Sequence, residues 1–259
     1  MKATTEPIAR PWPGTARLSQ SVWCQKEPRN TKAVFQAVQR HALAELTRAL
    51  GTVSFIQVGA NDGVEGDFLH PFIVSGAWRG VLVEPGDRAR ERLIQTYDGV
   101  AGLTIAPEAI WSESGTRTFY EVDGADELSS FSRETILVHA PKYADLAGML
   151  RPRQVATLTL DDLADRHGIS CPDVVAVDAE GCDDIVLGSF SIETRKPAMM
   201  LFEHVHLSAE RSAALRQRIL GAGYAEVFDR HDMLAIRRGV LPDALVDFLA
   251  DVVQQAREN

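Results

Sequence analysis

The sequence predicts an α/β protein: a mostly parallel sheet with helices on both faces, closed near its C-terminal end by an antiparallel hairpin. Three observations predict it. Short apolar runs of strand length alternate with stretches whose apolar residues recur at helical spacing. The first run, Phe55-Ile56-Gln57-Val58, breaks into a glycine turn, Gly59-Ala60-Asn61-Asp62-Gly63, and the second, Val81-Leu82-Val83, ends in Glu84. The last two runs, 225–228 and 233–236, are separated only by Asp229-Arg230-His231-Asp232, which reads as a hairpin.

Residues 1–30 are rich in Pro, Arg and Thr without periodicity, and read as an extended arm. From 33 to 50, Phe35, Val38, Ala42, Leu46 and Leu50 keep helical spacing, and Gly51 stops that helix. Strands follow at 53–58, 81–83, 103–110, 174–177 and 199–202. Helices are expected at 87–97, 160–166, 183–187 and 209–220. The tail, 242–254, places Leu245, Phe248, Leu249, Val252 and Val253 on one face, as a packed amphipathic helix or, alternatively, a homodimer contact. The organisation is thus an arm and helix (1–50), an α/β domain (51–238) and a terminal helix (239–259).

Composition narrows the function. The chain has 259 residues, 45% hydrophobic and 24% charged, as in ordinary globular proteins. A net charge of -9 argues against general binding of nucleic acid or anionic membranes. No apolar run is long enough for a membrane span, and Met1–Gly14 lacks the apolar core of a secretory signal. Cys24, Cys171 and Cys182 are scattered, which fits reduced thiols in the cytoplasm.

The glycine turn and Glu84 carry the first chemistry. Glycines after a strand let backbone approach a ligand closely. A carboxylate about 20 residues later, at the next strand's tip, can accept both hydroxyls of a ribose. The turn lacks the dinucleotide GxGxxG pattern, because Asn61 stands in the middle position. Asp62 repels a pyrophosphate and attracts a cation, which favours a positively charged nucleoside such as S-adenosylmethionine over NAD.

The segments "FIQVGANDG", "WRGVLVEP", "EAIWSESGTRTFYEV", "LSSF", "TLTLDDL", "VVAVDAEGCDDIVLGSF" and "LFEHVHLS" stand in one order over roughly 51–238. Together they resemble the FkbM family of class I S-adenosylmethionine-dependent methyltransferases. The resemblance implies a Rossmann-like, seven-stranded sheet. It implies that Gly59, Ala60, Asn61 and Gly63 line the methionine part of the cofactor, that Glu84 holds the ribose, and that Ala109 and Ile110, with Glu108, lie by the adenine. Asp178, after the fourth strand, would stand beside the sulfonium; the alternative is a helix cap. Gln57 departs from the acid that many class I methyltransferases carry there.

The second cluster is "LFEHVH". Alternation along a strand would send Glu203 one way and His204 and His206 the other. One reading makes His204 the general base for an acceptor hydroxyl. Another has Asp178 and Glu203, with a histidine, holding a divalent metal. The third is that the histidines only pack. Ser129 and Ser130, in the long segment before the fourth strand, belong to a lid or to a plain turn. Trp78 and Trp111 read as packing residues. The expected activity is O-methylation of a small-molecule acceptor such as a sugar or natural product. N-methylation, a nicotinamide-dependent oxidoreductase and a non-catalytic cofactor-binding module are the alternatives.

Overall fold

A computed structural model describes residues 31–258. The arm expected over 1–30, with Cys24, lies outside them. Helix α1 (Thr31–Leu50) buries Phe35, Val38, Ala42, Leu43 and Leu46 along one stripe. It stops where Gly51, at φ +76°, donates its N–H to the Thr47 carbonyl. Then come β1 (Val53–Val58), α2 (His70–Val74), β2 (Trp78–Val83), α3 (Asp87–Thr96) and β3 (Leu103–Ala106). A side branch follows: β4 (Ala109–Ile110), β5 (Gly115–Val122), α4 (Arg133–Leu137), α5 (Leu146–Met149) and β6 (Leu150–Leu158). The chain returns through α6 (Leu160–Arg166), β7 (Val174–Val177), α7 (Asp183–Gly188), α8 (Ile192–Arg195) and β8 (Met199–Glu203). It ends with α9 (Ala209–Gly221), β9 (Tyr224–Phe228), β10 (Asp232–Arg237) and α10 (Asp243–Glu258).

Seven strands form one sheet in the order β3-β2-β1-β7-β8-β10-β9. Neighbours are parallel except at β10, which runs antiparallel to both β8 and β9. This is the Rossmann-like arrangement with a closing hairpin that the sequence predicts. Its strands are buried on both faces. Phe55 and Leu82 pack under α1 and α10, whereas Ile56, Val81 and Val83 pack under α6, α7 and α9. Helices α1 and α10 lie against each other, and the Thr31 hydroxyl donates to the Ala256 carbonyl at 3.0 Å. Residues Val246, Leu249 and Val253 of the terminal helix share one core with Phe35 and Leu46 of the first. Among the described residues no helix is long and apolar enough to cross a membrane.

Two expectations change. The run 103–110 is not one strand: β3 ends at Ala106, and β4 pairs with β6 in a separate three-stranded sheet, β4-β6-β5. Pro107 lies at the break and has no N–H to continue the ladder. The segment before β7 is also more than a loop. Strands β5 and β6 pair antiparallel along their whole length, from Gly115 opposite Thr157 to Val122 opposite Leu150. Pro152 is tolerated within β6 because it faces Tyr120, whose own N–H and C=O pair with Ser130 instead.

The sheet reverses direction between β1 and β7: β2 and β3 build outward on one side, β7 and β8 on the other. A crevice opens at such a switch point, beyond the carboxyl ends of the strands. The segment 126–149 packs over its rim, with the Ser130 hydroxyl donating to the Glu180 carbonyl at 3.0 Å.

Candidate cofactor cleft and strand-end cluster

The crevice is a cleft enclosing about 1080 Å³ of empty space, its mouth included. Gly59, Ala60, Asn61, Glu84, Ala109, Ile110 and Asp178 all line it. Two backbone constraints shape its floor. Gly59 adopts φ +78°, and a Cβ there would lie 1.8 Å from the Asp178 carbonyl oxygen, so the tips of β1 and β7 meet only with glycine at this position. Asn61 adopts φ +46°, a left-handed conformation that asparagine accepts more readily than most residues. That turn aims the Asn61 N–H at Glu84 Oε2, 2.8 Å away, while Gly86 N–H donates to Oε1 at 2.7 Å. Glu84 is 7% exposed, and burial pushes its carboxyl up to about 7 against the opposing pull of the two N–H donors. Gly63 does not line the cleft; it packs beneath, where a Cβ would meet the Tyr97 ring at 2.5 Å.

Part of the acidity facing the cleft comes from a residue that sequence reasoning missed. Asp62, expected to attract a cation, spends Oδ1 on the N–H groups of Val64 and Glu65. Asp67 lines the cleft instead. In the sequence it looks only like a cap, and Oδ1 does accept the Leu69 N–H at 2.7 Å. Burial raises its carboxyl above the ordinary range. Asp178 is exposed at the tip of β7 where it opens into the cleft, yet protein crowds its carboxyl, which is raised by desolvation and then by the charge of Asp67. It caps no helix, since α7 begins only at Asp183 after Cys182. Gln57 Oε1 and Asn61 Oδ1 are buried acceptors without a hydrogen-bond partner. Two carboxylates and two unsatisfied acceptors in one crevice suit a ligand rich in N–H donors and positive charge.

Ala109 and Ile110 reach the cleft wall through β4, and Glu108 turns outward to pair with Arg166 at 2.6 Å. Ser129 lines the cleft while its hydroxyl accepts the Val122 N–H. Trp78 is core, its indole N–H donating to Thr47 Oγ1 at 3.0 Å. Trp111 stacks edge-on against Phe131 at 4.9 Å, under the Arg117 guanidinium.

At the end of β8 the chain departs from strand alternation. The strand stops at Glu203, and Val205 and His206 form a turn. His206 therefore swings to the side of Glu203: its Nε2 lies 3.4 Å from Glu203 Oε2 and 3.7 Å from Glu180 Oε2. His204 points into the protein instead. It is 2% exposed, its Nε2 lies 3.1 Å from the Asp229 carbonyl oxygen, and its ring meets Phe228 edge-on. Burial pushes its pKa down to about 4. Neither His204 nor Glu203 lines the cleft. Around Glu203 the carboxylates crowd: burial first, then neighbouring acids, push Glu180 up to about 9 and Glu203 up to about 8. The buried Asp183 is raised well above its usual range in the same way.

A seven-stranded sheet with its last-but-one strand antiparallel to the rest, and a cleft at its switch point lined by a glycine turn and a strand-end glutamate, define a class I methyltransferase fold. The chain belongs to the FkbM family: residues 57–234 match the Methyltransferase FkbM domain. Members of that family are methyltransferases whose chemistry uses S-adenosylmethionine. Among solved structures it is similar to a methyltransferase FkbM from Methylobacillus flagellatus KT, at 16% identity and a TM-score of 0.47, over 71% of this chain and 43% of that one. It thus spans less than half the length of that relative. It is also similar to a ribosomal protein L11 methylase from Lactobacillus delbrueckii subsp. bulgaricus, at 10% identity and a TM-score of 0.39, over 82% of this chain and 80% of the other. A precorrin-6y C5,15-methyltransferase from Geobacter metallireducens GS-15 aligns at 11% identity and a TM-score of 0.36, over 75% and 86% of the two chains. No curated protein matches the sequence significantly.

Proposed function

We propose that this protein binds S-adenosylmethionine in the β1–β2–β7 cleft and transfers its methyl group to a hydroxyl oxygen of a small-molecule acceptor. The observation that carries the reading is the pairing of Glu84, anchored by two backbone N–H groups, with the carboxylates of Asp67 and Asp178 across one crevice. Glu84 keeps acceptor capacity on both oxygens for ribose hydroxyls. Gln57 Oε1, Asn61 Oδ1 and Asp67 supply acceptors for an ammonium. Ala109 and Ile110 offer an apolar wall for a base. When bound, S-adenosylmethionine supplies a methyl group that an acceptor takes in line, as the carbon–sulfur bond breaks and its electron pair returns to sulfur.

The chain's own part is alignment, exclusion of water and removal of one proton. Asp178, at the cleft floor, favours positive charge beside it. Glu180 stands at the rim, where an acceptor hydroxyl would lose its proton, with His206 and Glu203 beside it outside the cleft lining. The segment 126–149, through Ser129 and Phe131, closes the acceptor side. The same acidity favours a second acceptor class, an amine, whose cation the rim would attract before deprotonation. Isothermal titration calorimetry with S-adenosylhomocysteine and with NAD tests the reading. Micromolar affinity for the first, about -8 kcal/mol, and none for the second is expected; the reverse result removes it.

A further inference from the structure

Beside the cleft, two histidines and a glutamate that belong to three separate elements converge. His139 follows α4 in the segment that covers the rim, Glu180 sits in the loop after β7, and His206 in the turn after β8. One ligand atom from each lies within 4.8 Å of the others. Glu203 Oε2 stands 3.4 Å from His206 Nε2, next to this group. The separations of 3.4 and 3.7 Å are long for hydrogen bonds. The first falls within, and the second lies slightly above, the spacing of roughly 3–3.5 Å between neighbouring ligand atoms around a metal held by bonds of about 2.1 Å.

A second observation points to a ligand. His139 Nε2 and Glu203 Oε2 are both shut off from solvent and make no hydrogen bond. Buried polar atoms normally have partners. Here an imidazole nitrogen and a carboxylate oxygen, the usual donors to a transition metal, lack them at one cluster. The backbone also holds an unfavourable shape there, since Glu180 adopts φ +45°. The covering segment packs tightly on the same loop: a Cβ on Gly181 would meet Thr135 Oγ1 at 3.0 Å and the His206 Cβ at 3.2 Å.

The geometry points to a divalent transition-metal site formed by His139, Glu180 and His206, with Glu203 as the fourth ligand. Two imidazoles select a zinc- or iron-like ion over magnesium, which prefers oxygen ligands and water. The spacing falls on this set rather than on Asp178 with Glu203. Such an ion ties the covering segment to the ends of β7 and β8. Glu180 also lines the cleft, so the ion stands at the acceptor side, where it lowers the pKa of a coordinated hydroxyl. The site rests on its own residues; its use on an acceptor rests on the methyl-transfer reading above.

The test is titration of metal-stripped, full-length protein with Co²⁺, read by visible d–d absorption and confirmed by elemental analysis after zinc loading. One equivalent is expected to bind, with histidine-containing coordination bands and little competition from excess Mg²⁺. His139→Ala, on the covering segment, should weaken binding at least about 10-fold, and His139→Ala with His206→Ala should abolish the bands. Glu203→Gln, close to isosteric, checks the fourth ligand in a protein whose fold is verified by circular dichroism. Sub-stoichiometric binding, or binding unchanged by the double substitution, overturns the site. Calorimetry with S-adenosylhomocysteine in chelator separates the two readings. Cofactor binding without cobalt binding removes the metal alone; cobalt binding without cofactor binding removes the methyl-transfer reading alone.

Discussion

Glu84 Oε2 accepts the main-chain N–H of Asn61 at 2.8 Å, which ties the tip of β2 to the turn after β1. The contact needs the left-handed Asn61 and a buried acid together. Each oxygen of Glu84 then has a backbone donor and a remaining lone pair for a ligand. Replacing Glu84 by Ala removes both the ligand contact and the anchor of the turn. Affinity for S-adenosylhomocysteine should fall by about 1.5–3 kcal/mol, the worth of charge-assisted hydrogen bonds, or roughly 10–100-fold. Calorimetry measures it, and unchanged affinity would take Glu84 out of the ribose site.

The same carboxyl should leave a pH signature. Burial raises it from 4.5 to about 7 in the folded protein. Between those values the folded state holds a proton that the unfolded chain has released. Stability contributed by the neutral form is therefore full at low pH and is lost as pH rises through this window. Urea unfolding of the wild type and of Glu84→Gln, from pH 5 to 8, isolates the effect. The difference in stability between the two should shift against the wild type as pH rises. Nucleoside affinity should move the other way, strengthening through about pH 7 as the better acceptor, the carboxylate, forms. A difference that is flat with pH would mean that Glu84 is ionised throughout.

Gly59 gives a steric test. With φ +78° and a Cβ position 1.8 Å from the Asp178 carbonyl oxygen, Gly59→Ala must separate the tips of β1 and β7. Gly66 has a similar φ of +73° but open space around it, so Gly66→Ala carries backbone strain alone. Strain of this kind costs on the order of 1–3 kcal/mol. Gly59→Ala should exceed Gly66→Ala in thermal destabilisation and should abolish nucleoside binding. Equal effects would place the tips farther apart than the structure has them.

The sheet was legible because its strands are continuous apolar runs, as both-face burial requires, and because a glycine or an acid ends each of the first two. The side branch was not. Its strands carry polar residues such as Arg117, Thr118 and Gln154, and Pro152 breaks the expected pattern of β6; only the pairing of Tyr120 with Ser130 explains why that proline fits. At the site, Glu84 and Gly59 showed themselves through local spacing. Asp67 hid behind its cap-like contact with Leu69. The strand ended one residue before His204, so alternation misplaced His206. His139 joins Glu180 only when the covering segment folds back across residues far away in sequence. None of these follows from a local pattern.

His204 separates a structural role from a catalytic one. Its ring is buried and held at the Asp229 carbonyl, and its pKa is pushed down to about 4. His204→Ala should lower stability by about 1–3 kcal/mol, through a lost hydrogen bond and the space left behind. Once methyl transfer is measured on an acceptor, its pH profile between 6 and 9 should keep its shape in this variant. Loss of the acid limb would instead make His204 the proton acceptor.

The facing acids Asp67 and Asp178 predict a preference that depends on ligand charge. S-adenosylmethionine carries a sulfonium, and S-adenosylhomocysteine has a neutral thioether at the same place; both carry the methionine ammonium. A carboxylate near the sulfonium therefore strengthens binding of the first more than of the second. Asp178→Asn keeps size and hydrogen-bonding atoms but removes the charge. It should shift the affinity ratio toward the thioether by about 3–10-fold, which corresponds to roughly 0.7–1.4 kcal/mol. Asp67→Asn can still accept the Leu69 N–H through its amide oxygen, so its helix entry is retained. If Asp67 faces the ammonium, its loss weakens both ligands together and leaves the ratio near that of the wild type. Competitive calorimetry of both ligands against each variant reads the two effects separately. A ratio unmoved by Asp178→Asn would place the sulfonium away from the tip of β7.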